Sequence, residues 1–129
     1  MIQKYRKNIR LPYYDYRSAG LYFITVCTRY RRDLFGRIND GVMHLNEAGQ
    51  MVSDAWCILP EKFVAVSLHE HIVMPNHFHG ILEISDASTV SIGDIVGAFK
   101  SVTTNRYIAG VKHEGMGSVR ETFMAEKLL

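Results

Sequence analysis

Apolar and polar positions alternate with a period of two along some stretches of the chain and recur every three or four residues along others, a mixture that predicts an α+β domain. Leu21 to Thr28 is rich in aromatic and β-branched residues and predicts a strand. Leu34 to Ile38 and Val42 to Leu45, separated by Asn39-Asp40-Gly41, predict a hairpin. Asn46 stands where a helix cap is needed, and Leu45, Ala48, Met51, Val52, Ala55, Trp56 and Leu59 then give a core-facing helix that ends before Pro60. Trp56 belongs to the core on this reading. Val64 to Leu68 and Ile72 to Met74 form an apolar stretch interrupted by His69, Glu70 and His71, and His77 to Ile84 returns as a strand after Pro75-Asn76. Ser91 and Asp94 make a capping-box-like start to a second helix, whose buried stripe is Ile92, Ile95, Val96 and Phe99 and whose natural stop is Gly110. An antiparallel sheet carrying these two helices on one face is a ferredoxin-like (RRM-like) arrangement, with the strand from His77 inside the sheet.

That strand also carries the candidate chemistry. Side chains alternate faces along a strand, so His77 and His79 point the same way and can grip one divalent ion, while Phe78 points to the opposite face with Gly80, Leu82 and Ile84. For a single histidine, a hydrogen-bonded core position remains the competing reading. His69 and His71 fall on one strand face by the same alternation, and a solvent-facing position is preferred for both. The fragment His77, His79 and Glu83 also fits the spacing of cupin-type metal enzymes, but those barrels are nearly all strand and two helical patterns stand against them.

The chain has 129 residues, of which 47% are hydrophobic, the size of one domain with a real core. No run reaches the roughly 18 apolar residues of a membrane span, and no apolar stretch follows the charges of Met1 to Lys7, so a cytoplasmic protein without a membrane partner is expected. Cys27 and Cys57 lack paired-cysteine spacing, and a buried reduced thiol is expected at each. The net charge of +2 conceals a gradient, because residues 1–32 carry +7 and the remainder −5. Five tyrosines, Tyr5, Tyr13, Tyr14, Tyr16 and Tyr30, are interleaved with the cations of that first part. Rings that stack on bases beside charges that neutralise phosphates suit single-stranded or hairpin nucleic acid, with a solvated arm as the alternative.

The run Met74-Pro75-Asn76-His77-Phe78-His79-Gly80 resembles the metal motif of single-tyrosine HUH transposases, most closely the branch associated with repetitive extragenic palindromes (REP) in bacteria. Leu11-Pro12-Tyr13-Tyr14-Asp15-Tyr16, Gly20 to Thr28, Leu34-Phe35-Gly36, Leu45 to Gly49 and Phe99-Lys100-Ser101 stand in the family's order, so the likeness covers roughly residues 4 to 111. The resemblance implies a ferredoxin-like fold and a DNA transposase, with His77 and His79 among the ligands of Mg2+ or Mn2+ and a third polar ligand unassigned. It implies cleavage and rejoining of single-stranded or hairpin DNA through a 5′-phosphotyrosine, by a monomer or a homodimer. The expected DNA contacts are Lys4, Arg6, Lys7, Arg10, Tyr13, Tyr14 and Arg17, from a basic arm over residues 1–20, together with Lys100 from the second helix.

The nucleophile is where the chain departs from the family, in which a tyrosine follows a tryptophan-glutamine-arginine segment. Residues 112–129 hold neither, and form a divergent or frameshifted tail. Met124-Ala125 forces the nucleotides ATG-GC, so the frame one nucleotide later reads tryptophan, and codons through Leu129 permit glutamine, arginine, asparagine and tyrosine to follow. A frameshift between about Val111 and Met116 is the preferred explanation. Tyr107 is the only tyrosine after the histidines and the only candidate catalytic nucleophile in that part of the chain, although a structural or DNA-stacking role suits it better. Whether the chain is an enzyme is therefore open, and a noncatalytic single-stranded or hairpin DNA-binding module is the alternative.

Overall fold

Tyr22, Ile24 and Val26 point to one side of the first strand, β1 (Gly20–Thr28), and all three are buried. Their neighbours on the other side, Leu21, Phe23 and Thr25, are only partly covered, so the sheet has one packed face and one open face. The computed structural model describes residues 19–85, 90–114 and 121–128. After β1 come a 3-10 turn (Arg29–Arg31), β2 (Gly36–Asn39), β3 (Val42–Leu45), α1 (Glu47–Cys57), the short α2 (Leu59–Lys62), β4 (Val66–Met74), β5 (His77–Ile84), α3 (Ile92–Glu114) and β6 (Glu121–Leu128). No helix among the described residues is long and apolar enough to cross a membrane.

The main sheet is ordered β4-β5-β1-β6 with every adjacent pair antiparallel. Strand β5 lies between β1 and β4, which α1 connects, and β1 lies between β5 and β6, which α3 connects. Two such split βαβ units make the ferredoxin-like α+β fold expected from the periodicities. Both long helices cover the face that carries Phe78: Trp56 of α1 lies 4.9 Å from the Phe78 ring, Phe99 of α3 lies 5.1 Å from it, and Trp56 meets Phe99 edge-on at 5.6 Å. The caps form as the sequence predicts. Asn46 accepts the Gly49 amide at 2.9 Å, while Ser91 and Asp94 exchange reciprocal bonds of 3.1 Å. Asp40 (φ 52°) and Gly41 (φ 75°) are both left-handed, which is what a two-residue β2–β3 hairpin turn requires.

Three expectations, at Leu45, Gly110 and Cys57, are corrected, and two features are added. Leu45 ends β3 and is exposed; it does not join the buried stripe of α1. Gly110 does not stop α3, which runs to Glu114, since a glycine costs a helix only about 1 kcal/mol and nothing in Val111–Glu114 breaks it. The polar segment from His69 to His71, between the two apolar runs, stays in the sheet. It forms a β-bulge within one continuous β4, where register moves from Leu68↔Leu82 to His71↔Gly80. Cys57 is a free thiol but an exposed one, unlike buried Cys27. Within the expected tail, Glu121–Leu128 pairs with β1 from Thr28↔Glu121 to Leu21↔Leu128, a strand that periodicity did not announce.

Candidate metal and nucleic-acid site

Phe78 is fully buried, and its anchorage fixes where its two neighbours go. A register slip of one residue would bury both imidazoles and expose Phe78, so the aromatic cluster behind the sheet holds His77 and His79 on the open face. There Cys27 and Met74 flank His77, while Thr25 and Ile72 flank His79. The two ring centroids are 4.6 Å apart with planes inclined at 70°, close enough for one ion to reach both rings.

Each ring is held by its Nδ1. Asn76 Oδ1 lies 2.7 Å from His77 Nδ1, and the amide orientation follows from its other end, where Nδ2 donates to the Arg31 carbonyl at 3.2 Å. A carbonyl oxygen only accepts, so His77 carries its proton on Nδ1 and presents a lone pair at Nε2. Thr25 Oγ1 lies 3.0 Å from His79 Nδ1 and can hold the same tautomer. Burial pushes both imidazoles below the ordinary histidine value; for His77 the neighbouring His79 and then the Arg31 charge add to the effect. Both residues are therefore biased toward the neutral form that binds metals.

The other candidates are distributed away from this pair. The bulge in β4 breaks the alternation that would have set His69 and His71 on one face. His69 stays on the open side and pairs with Glu83 at 3.1 Å, both side chains nearly half exposed, whereas His71 bonds Ser53 Oγ at 3.0 Å and stacks on Phe78 across the sheet. Neither joins His77 and His79. Among the described residues no three His, Cys, Asp or Glu side chains are grouped to hold an ion, and the candidate pair His77 and His79 stands without a third such neighbour among them. Tyr107 is 3% exposed within the helix-side core, and burial raises its phenol above the usual value against a smaller opposing pull from Arg32. Lys100 is half-buried on α3, in the helix layer behind the sheet. Lys4, Arg6, Lys7, Arg10, Tyr13, Tyr14 and Arg17 lie outside the described residues.

Three residues that the sequence did not single out complete the arrangement. Asn76 was visible as part of the motif, but its role as a tether between the Arg31 turn and His77 was not. Thr25 could be assigned only once β1–β5 register was known, and the approach of Arg31 depends on how the chain turns after β1. Beside His79 a hollow of about 430 Å³ opens between Phe23, Ile72 and Ile81, with Glu70 at its margin.

Comparison with known proteins places this geometry in context. No family model matches the chain. An uncharacterized protein of Haemophilus influenzae is 46% identical over 80 residues, which is 62% of this chain and 44% of the relative, so the match spans less than half of that protein's length. Two solved structures share the fold. A candidate transposase from Deinococcus radiodurans superposes with a TM-score of 0.63 at 17% identity, covering 93% of this chain and 85% of that one. A REP-associated tyrosine transposase bound to a REP hairpin superposes with a TM-score of 0.58 at 18% identity, covering 93% of this chain and 61% of that one.

Proposed function

We propose that this chain is the core of a transposase of the single-tyrosine HUH type, which binds single-stranded or hairpin DNA across the open face of its sheet. The observation that carries the reading is the pair His77 and His79, each held at Nδ1 and biased to the neutral form, on a fold shared with a hairpin-bound tyrosine transposase. His77 and His79 would hold Mg2+ or Mn2+ through their two ring nitrogens, a pair that binds weakly by itself. Such an ion, when bound, supplies Lewis-acid polarisation of a scissile phosphate. The chain's own residues do the rest of the binding work: Asn76 and Thr25 orient the rings, and Phe23, Ile72 and Ile81 offer an unstacked base an apolar wall beside His79.

A noncatalytic DNA-binding module is the second reading, and one observation favours it. The described tyrosines are Tyr22 and Tyr107 in the helix-side core and Tyr30 in the turn after β1, so none stands on a strand of the open face. We expect the 129-residue chain to bind a hairpin-flanked single strand without forming a covalent product. Calorimetry should detect weak Mn2+ binding that disappears in the His77→Ala, His79→Ala double variant, and hairpin DNA should outcompete plain duplex. Mn2+ binding that survives the double substitution removes the metal site; equal affinity for duplex and hairpin removes the DNA specificity. Covalent protein-DNA product lost on Tyr107→Phe would make that residue the nucleophile.

A further inference from the structure

The 3-10 turn between β1 and β2 spends conformational energy that its own packing does not return. Tyr30 (φ 60°, ψ 18°) and Arg31 (φ 56°) are consecutive non-glycine residues in the left-handed region, which L side chains rarely adopt. Arg29, Tyr30, Arg31 and Arg32 are all exposed, Tyr30 to 75%, so no core contact among the described residues offsets the strain. What holds the turn is polar and comes from its inner side. The Thr28 hydroxyl donates to the Arg32 carbonyl at 2.7 Å, the Thr28 amide to the Asn76 carbonyl at 2.9 Å, and the Phe35 amide to the Pro75 carbonyl at 2.9 Å. The Asn76 side chain adds its bond to the Arg31 carbonyl and, with its other end, meets His77. Strain kept in an exposed turn and braced against a candidate site points to use at that site.

The side chains displayed by this brace have a consistent chemistry. Three exposed arginines flank one outward phenol in the chain, and the Arg29 guanidinium lies 4.8 Å from the centroid of the Tyr30 ring, which is 75% exposed. An aromatic ring stacks on any unpaired base, and arginines beside it neutralise the adjoining phosphates. We infer that Arg29-Tyr30-Arg31-Arg32 is a clamp for single-stranded DNA, in which Tyr30 stacks on one unpaired base while Arg31 takes the phosphate nearest His77. Asn76 keeps clamp and histidine in fixed register. The inference rests on the DNA-binding reading of the open face and adds the element that seats the strand there.

Fluorescence anisotropy with the full chain and a labelled single-stranded oligonucleotide tests it. Tyr30→Ala should weaken binding by about 5- to 100-fold, as loss of one base stack does, while Tyr30→Phe should bind nearly as the parent. Arg31→Gln should lower the slope of log affinity against log salt by about 0.7, the value for one phosphate contact on a single strand. Tyr30→Gly separates binding from folding, because glycine relieves the left-handed backbone: it should melt no lower than the parent yet bind as weakly as Tyr30→Ala. Parent-like affinity and salt slope in all these variants would overturn the clamp and leave the DNA-binding reading standing. Failure of the parent chain to bind any single strand would overturn both, and tighter binding to RNA of the same sequence would overturn the assignment to DNA.

Discussion

Asn76 acts in two directions from one side chain, donating through Nδ2 to Arg31 O at 3.2 Å and facing His77 Nδ1 with Oδ1 at 2.7 Å. Residues that orient a metal-binding imidazole typically contribute about 10- to 100-fold in affinity, so Asn76→Ala should weaken Mn2+ binding by that order in calorimetry while leaving His77 and His79 in place. Unchanged affinity would show that the strand alone orients the ring. The same scale governs pH. Both imidazoles have folded-state values below the ordinary 6.5, so the unfolded chain takes up protons first as pH falls. Their contribution to stability is intact above pH 6.5, declines as pH drops through the interval down to the lowered values, and levels off beneath them. Mn2+ binding should persist to below pH 6.5 and fail as the lowered values are passed. In Arg31→Gln, with a positive neighbour gone, the failure for His77 should move to higher pH.

Within elements, the decisive contacts are on the side away from the histidine pair. Gly80 follows His79 and lies against Trp56; an added Cβ would stand 2.6 Å from Trp56 Cζ2 and 2.8 Å from Phe78 Cε1, both in the closely packed centre of the core. Gly80→Ala should therefore cost about 1–3 kcal/mol, read as a lower midpoint in denaturant melts, and should loosen the histidine pair by shifting β5. A midpoint equal to the parent's would mean that Trp56 can move aside. Periodicity made β5 legible, because Phe78, Gly80, Leu82 and Ile84 alternate strictly with half-covered positions. The same rule failed on β4, where one extra residue between Leu68 and His71 turns His71 to the helix side. A bulge is set by pairing with a neighbouring strand, and the pattern of a single strand does not contain that information.

For the whole molecule, the charge gradient separates a basic beginning from an acidic remainder, and the turn at Arg29–Arg32 brings the end of the basic part to the histidine pair. Deleting residues 1–17 should weaken binding to every single strand tested and flatten its salt dependence, since a phosphate-neutralising arm contributes without regard to sequence. Affinity and salt slope equal to the full chain's would assign DNA binding to the sheet and the turn alone. The sequence by itself determined the fold class, the two helices with their caps, the hairpin, the placement of Trp56 in the core and the shared face of His77 and His79. All of these follow from local periodicity, from turn and cap chemistry, or from alternation along one strand. Only the tertiary structure decided that β6 pairs with β1, that Thr25 and Asn76 secure the two imidazoles, and that Arg31 stands beside His77. Those relations join residues up to about a hundred positions apart, as Leu21 and Leu128 are, and depend on strand register and loop closure, which the order of apolar and polar residues within one segment does not encode.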